Sequence, residues 1–143
     1  MIQENTPDEF IRGIANKDFV QNGHVLPSAF QFDEADRADG KHEASINWMD
    51  DVEAIHIALN QRKVNGKLQF VGGVAKLNKS KVNLMLASIE QGMFSYERRA
   101  LDNNPYHGNL LLSGDISKPM KQMVMSALAL AAGTNIIEQN NVE

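Results

Sequence analysis

From His42 to Trp48 the chain alternates polar and apolar residues, and this two-residue period constrains the fold more than any other stretch. Successive side chains of an extended strand point to opposite faces. Ala44, Ile46 and Trp48 are therefore expected to face a core, while Glu43, Ser45 and Asn47 line the other side. Asp50 and Glu53 follow at capping-box spacing. They predict a helix that ends near Arg62, with Val52, Ile55 and Leu59 as its apolar stripe.

Other segments give local signals of their own. Thr6-Pro7-Asp8-Glu9 has the form of a helix start, with Thr6 as cap and Pro7 in the first turn, which predicts a helix over 6–16 that buries Phe10, Ile11 and Ile14. Asn22-Gly23 marks a turn, 25–32 reads as extended with a break at Pro27, and 33–41 as an exposed acidic loop. A strand is expected over 68–77, where Gly72-Gly73 suggests a bulge or a close backbone approach. Residues 80–91 fit both periods, but Ser80 as cap and Gly92 as stop favour a helix. Strands are expected over 94–99 and 109–112. Ser117 caps a last helix over Lys118–Ala132 that closes at Gly133, with Met120, Met123, Val124, Ala127, Leu128 and Ala131 as its buried face.

The chain has 143 residues, the size of one domain with one core. It shows no regular βαβ repeat and no glycine-rich phosphate loop. The expected fold is thus α+β: a small, mainly antiparallel sheet with three to four helices on one face, and polar tails at 1–5 and 135–143.

Composition excludes several kinds of function. A net charge of −4 and a pI near 5.5 give no basic footprint for nucleic acid. With no cysteine, disulfides, thiolate zinc sites and a cysteine nucleophile are absent. The N-terminus lacks the basic and apolar blocks of a signal peptide, so a cytoplasmic protein is expected. The longest apolar run, 123–132, is about half of what a bilayer crossing needs, and no membrane association is expected.

The densest group of chemically capable residues is Asn103-Asn104-Pro105-Tyr106-His107-Gly108-Asn109. An imidazole suits acid-base work near neutral pH, so His107 is a candidate general acid or base. The same residues also build a rigid corner, in which Pro105 fixes one dihedral, Asn104 bonds its own backbone, Gly108 tolerates positive φ and His107 braces the turn. If the sheet brings them together, Glu43, Ser45 and Asn47 would line a pocket with Arg37, Tyr106 and His107. Arg37 would then hold an anionic group and Glu43 assist His107, with Asn104, Tyr106, Asn109, Ser45 and Asn47 as binding residues. Asp115 is a poorer helper, because an extended 109–112 puts it roughly 20 Å from His107 at about 3.3 Å per residue.

Glu53-x-x-His56 has the spacing of a carboxylate-bridged metal site but occurs once, and no metal or cofactor is expected. Two function classes remain. One is a binding or assembly domain, working through protein contacts or as a homodimer through 123–132, with an exposed Met125 beside Leu130 as the mark of a partner surface. The other is a small hydrolase or transferase for a phosphate- or nucleotide-type substrate, with His107 as general acid or base. Convergence of His107, Arg37 and Glu43 on one pocket separates them.

Overall fold

Two adjacent apolar residues, Phe10 and Ile11, decide the architecture. Both are buried, yet neighbours on a strand point to opposite faces, so a strand carrying them must be covered on both sides. The computed structural model describes residues 6–34 and 37–139. In chain order its elements are strands Glu9–Gly13 (β1), Val20–Gln21 (β2), His24–Val25 (β3), Asp33–Glu34 (β4) and His42–Trp48 (β5), helix Glu53–Asn60 (α1), strand Val74–Asn78 (β6), helix Lys79–Met85 (α2), strands Phe94–Arg98 (β7) and His107–Leu112 (β8), helix Lys118–Ala132 (α3) and strand Ile136–Ile137 (β9). Single 3₁₀ turns occupy Lys17–Phe19 and Pro27–Ala29.

The main sheet runs β7-β8-β5-β1-β6-β9, with β4 beside the start of β5, and every pairing in it is antiparallel. β2 and β3 form a separate hairpin. It turns at Asn22 and Gly23, with φ of 53° and 77°, as a two-residue turn between twisted strands requires. The fold is α+β with a mainly antiparallel sheet and, among the described residues, three α-helices.

On one face Phe10, Ala44, Ile46, Trp48, Leu110 and Leu112 pack under α2 and α3. Phe10, Trp48 and Tyr96 meet edge to face there, with centroids 5.6–5.9 Å apart, an arrangement that suits aromatic quadrupoles. On the other face Ile11 and Val74 pack against Ala58, with Ile55 and Leu59 at the margin.

Several expectations change. The N-terminal segment is not a helix. β1 is an inner strand whose ladder to β5 and β6 supersedes the capping-box pattern, and this removes the fourth helix. The helices also do not share one face: α1 covers the side of Ile11, because its small residues Ala54 and Ala58 approach the sheet while Val52 stays 60% exposed. Asp50 does not cap α1: the N-cap position is Val52, with no side-chain cap, and Asp51 accepts from the Glu53 N–H at 3.0 Å in the turn that leads in. β6 is shorter than 68–77. α2 begins directly from it, capped by Asn78 rather than Ser80, and ends at Met85, well short of Gly92.

β5 has the expected bounds, and its apolar side is buried. α3 spans Lys118–Ala132 with Ser117 as cap and Gly133 beyond its end. Its buried face is rotated from the expected one. Met125 is buried and Met123 half-exposed, because α2 packs against one flank of α3 while β3 and the Pro27–Ala29 turn pack against another. The proposed mark of a partner surface, an exposed Met125, is therefore absent. Ile136 and Ile137 pair with β6, so the chain is ordered beyond residue 135; 1–5 and 140–143 lie outside the described residues, as does Asp36 of the acidic loop.

Candidate functional site

The polar side of β5 continues across its neighbours. Ser45 stands opposite Asn109 and Asn47 opposite His107 on β8, and Asn109 stands opposite Glu97 on β7. This stripe divides into two regions with different chemistry.

At the first region Arg37 reaches in from the loop before β5. Its guanidinium donates to Glu97 at 2.8 and 2.9 Å, to Asp39 at 3.0 and 3.1 Å, and to Glu43 at 2.9 Å. The Arg37 side chain is 10% exposed, so these bonds form with little competing water. The Glu97 hydrogen bonds, followed by those of Asp39, hold Arg37 in its charged form. Arg37 in turn holds Glu97 below the usual carboxylate range and, with the Lys41 N–H, brings Asp39 down to about 2. Asn109, fully buried, donates to Glu97 at 2.9 Å. Arg37 is thus occupied by the protein's own carboxylates rather than by an external anion, and Glu43 and Asn109 belong to the same cluster.

At the second region a cleft of about 660 Å³ opens over β1, β5 and β8. Ser45, Asn47 and His107 contribute to its lining, between the C-terminal end of α1 with Gln61 and Arg62 and the corner at 101–104. The corner is tight: Leu101 and Asn104 exchange backbone hydrogen bonds at 2.9 and 3.0 Å around Asp102-Asn103. A chain of amides fixes it. Asn104 Nδ2 donates to Asn47 Oδ1 at 2.8 Å, Asn47 Nδ2 donates to the Ala54 carbonyl at 3.0 Å, and Asn104 Oδ1 accepts from the Tyr106 N–H at 3.1 Å. Both asparagines are buried, where an unpaired amide would be costly.

His107 is the first residue of β8 rather than part of the corner. Its Nδ1 lies 2.9 Å from the Arg99 carbonyl. A carbonyl only accepts, so Nδ1 carries the hydrogen, and the neutral ring keeps its lone pair on Nε2. Gly108 is extended and not at positive φ. A Cβ there would strike the indole nitrogen of Trp48 and the Glu97 carbonyl, which the indole N–H bonds at 3.0 Å across this position. Tyr106 contributes mainly backbone: its carbonyl accepts from the Trp48 N–H at 2.7 Å. Partial burial, then the charges of Asp51, Glu53 and Asp50, hold its phenol above the ordinary value.

The structure therefore brings Ser45, Asn47, Asn104 and His107 to one cleft, whereas Arg37, Glu43 and Asn109 belong to the neighbouring ion cluster. Four residue steps along β5 separate Glu43 from Asn47, about 13 Å of extended chain. Asp115 accepts from the Ser113 hydroxyl at the other end of β8. The cleft residues Gln61 and Arg62 carry no local sequence signal, and neither does Glu97. Arg12 was also missed: it is half-buried and donates to the carbonyls of Ser45, Ala29 and Gln31 at 2.7, 3.1 and 3.4 Å, and desolvation pushes its pKa down to about 10.

Among the described residues no three His, Asp or Glu are placed to hold a metal ion. No helix among them is long and apolar enough to cross a membrane. In comparisons with protein-family models, curated proteins and solved structures, nothing matches this chain.

Proposed function

We propose that the protein is a binding domain that acts through protein contacts, and that the cleft beside His107 receives an extended segment of its partner. The observation that carries this reading is the lining of the cleft, which includes the exposed carboxamides of Gln61 and Asn103 on a floor fixed by Asn47 and Asn104, and no carboxylate. A carboxamide presents one acceptor and two donors, the groups needed to bond a peptide backbone. The two charged partners required by a hydrolytic site, Arg37 and Glu43, are engaged elsewhere. The test is selection of peptides from a displayed library, followed by amide NMR mapping of a selected peptide on the labelled protein. Shifts at Ser45, Asn47 and His107 are expected; shifts confined to other surfaces would remove the cleft from the account.

The rival, a hydrolase or transferase for phosphate- or nucleotide-type substrates, is favoured by one observation, the anchoring of His107 Nδ1, which leaves Nε2 as a base in the cleft. A screen against phosphoesters, nucleotides and NAD tests it. Turnover that collapses by a hundredfold or more in a folded His107→Ala protein would install the enzyme reading in place of the first.

Self-association belongs to the same proposal. α3 exposes Met123 and Leu130, at 50% and 67%, seven residues apart and so on one side of the helix. Light scattering on a sizing column should give a dimer; a monomer at high micromolar concentration ends this part.

A further inference from the structure

The 61–73 connection borders a second cavity of different character. Arg62, which lines the cleft beside His107, forms a bridge with Leu68, and Leu68 lines another cleft of about 910 Å³. Its apolar lining comes from three separate segments: Val20 of β2, Leu68 and Val71 of the connection, and Ile136 of β9. Val71 is 37% exposed, so part of this apolar surface meets water. Two lysines, Lys17 and Lys67, stand in the same lining against one carboxylate, Glu138. Neither lysine is ion-paired among the described residues, in a chain whose net charge is −4.

An apolar floor with two ammonium groups against one carboxylate fits a ligand with an apolar body and a negative end. We propose that this cleft binds a free linear alkyl carboxylate, with its chain on Val20, Leu68, Val71 and Ile136 and its carboxylate near Lys17 and Lys67. A bare inorganic anion would leave the apolar lining in water. An anionic bilayer would be repelled by the net charge of the chain and could not reach a concave floor. The cavity volume lies within the range of small-molecule sites, about 300–1,000 Å³. The inference stands apart from the peptide reading of the first cleft, because the two sites share no lining residue.

The test is titration of the full chain with decanoate and dodecanoate below their micelle-forming concentrations, followed by calorimetry and by amide NMR. Saturable 1:1 binding is expected, with shifts in 17–23, 67–72 and 134–139. Each added methylene should tighten binding by up to about fourfold, the effect of burying one such group. The double variant Lys17→Gln, Lys67→Gln should weaken dodecanoate about tenfold and leave the uncharged dodecanol within about twofold. Val71→Glu places a carboxylate on the floor at a partly exposed position and should abolish binding of dodecanoate with little change in the melting midpoint. The lysine variant alters only exposed side chains, so it remains decisive if Val71→Glu perturbs folding. Absence of saturable binding at about 1 mM, affinity for dodecanoate that ignores both lysines, shifts centred on Ser45 and His107, or binding to anionic vesicles without binding of the free carboxylates would each overturn the proposal.

Discussion

The two regions of the polar stripe on β5 and β8 are made of similar residues and come to opposite uses. Around Glu43 and Asn109 the charged groups are turned on one another: one guanidinium is shared among three carboxylates, and a buried amide donates to one of them. Around Asn47 and His107 the internal bonds are just sufficient to fix the amides and one ring nitrogen, and a cleft is left open above them. The difference originates outside the stripe. A loop arginine folds over the first region, whereas a helix end and a tight corner stand apart over the second. Polar residues on a sheet face do not become a site by being polar; they become one where no other part of the chain covers them.

The comparison is broken most severely by removing the arginine. Arg37→Met deletes the charge-assisted bonds and leaves three neighbouring carboxylates, Asp39, Glu43 and Glu97, without their shared partner. A loss of about 3 kcal/mol is expected, less than for a fully buried pair because Asp39 and Glu43 keep some water. Chemical unfolding measures it, and a loss below about 0.5 kcal/mol would mean that the cluster is decorative. Asn47→Ala comes next. It orphans the Ala54 carbonyl and one Asn104 donor in a dry environment, at a cost of about 2 kcal/mol, and frees the 101–104 corner. Slower amide exchange at Leu101 and Asn104 in the variant than in the parent would contradict that role.

Acid gives the smallest and most local effect. Asp39 has an ordinary value of 3.8 and is held at about 2 in the folded chain. A depressed carboxylate contributes stability that is present above its unfolded value and is lost as pH falls through its folded one. The attachment of 37–41 should therefore weaken between about pH 4 and about pH 2, and less so in Asp39→Asn, whose side chain does not titrate. Amide shifts of Gly40 and Lys41 recorded against pH report it; the same titration profile in parent and variant would assign the transition to another group.

Parts of this were legible in the sequence because their signals are local. The alternation of 42–48, the strand at β7 and the Ser117 and Gly133 bounds of α3 each depend on neighbours within a few residues. β1 was misread because Thr6-Pro7-Asp8-Glu9 is a good local helix start, and only the pairing of Phe10 with Trp48 and Leu77, far along the chain, overrides it. The orientation of α1 was misread because alanine, with little apolar area, is still the residue that permits closest approach to a sheet. The site was half legible for the same reason. Alternation along β5 puts Ser45 and Asn47 on one face, but β8 does not alternate, and only its pairing with β5 brings His107 beside Asn47. The contact of Arg37 with Glu97 spans sixty positions and leaves no trace in spacing or composition.

The most direct test of the division places one variant from each region in the same experiment. His107→Ala removes a single bond to the Arg99 carbonyl at a half-buried position and should cost about 1 kcal/mol, a fall of about 3 °C in melting midpoint for a domain of this size. Arg37→Met, melted beside it, should fall about three times as far. That order is what an open recognition region and a closed structural one require; a larger fall for His107→Ala than for Arg37→Met would contradict the account and make His107 the brace and the arginine cluster the dispensable surface.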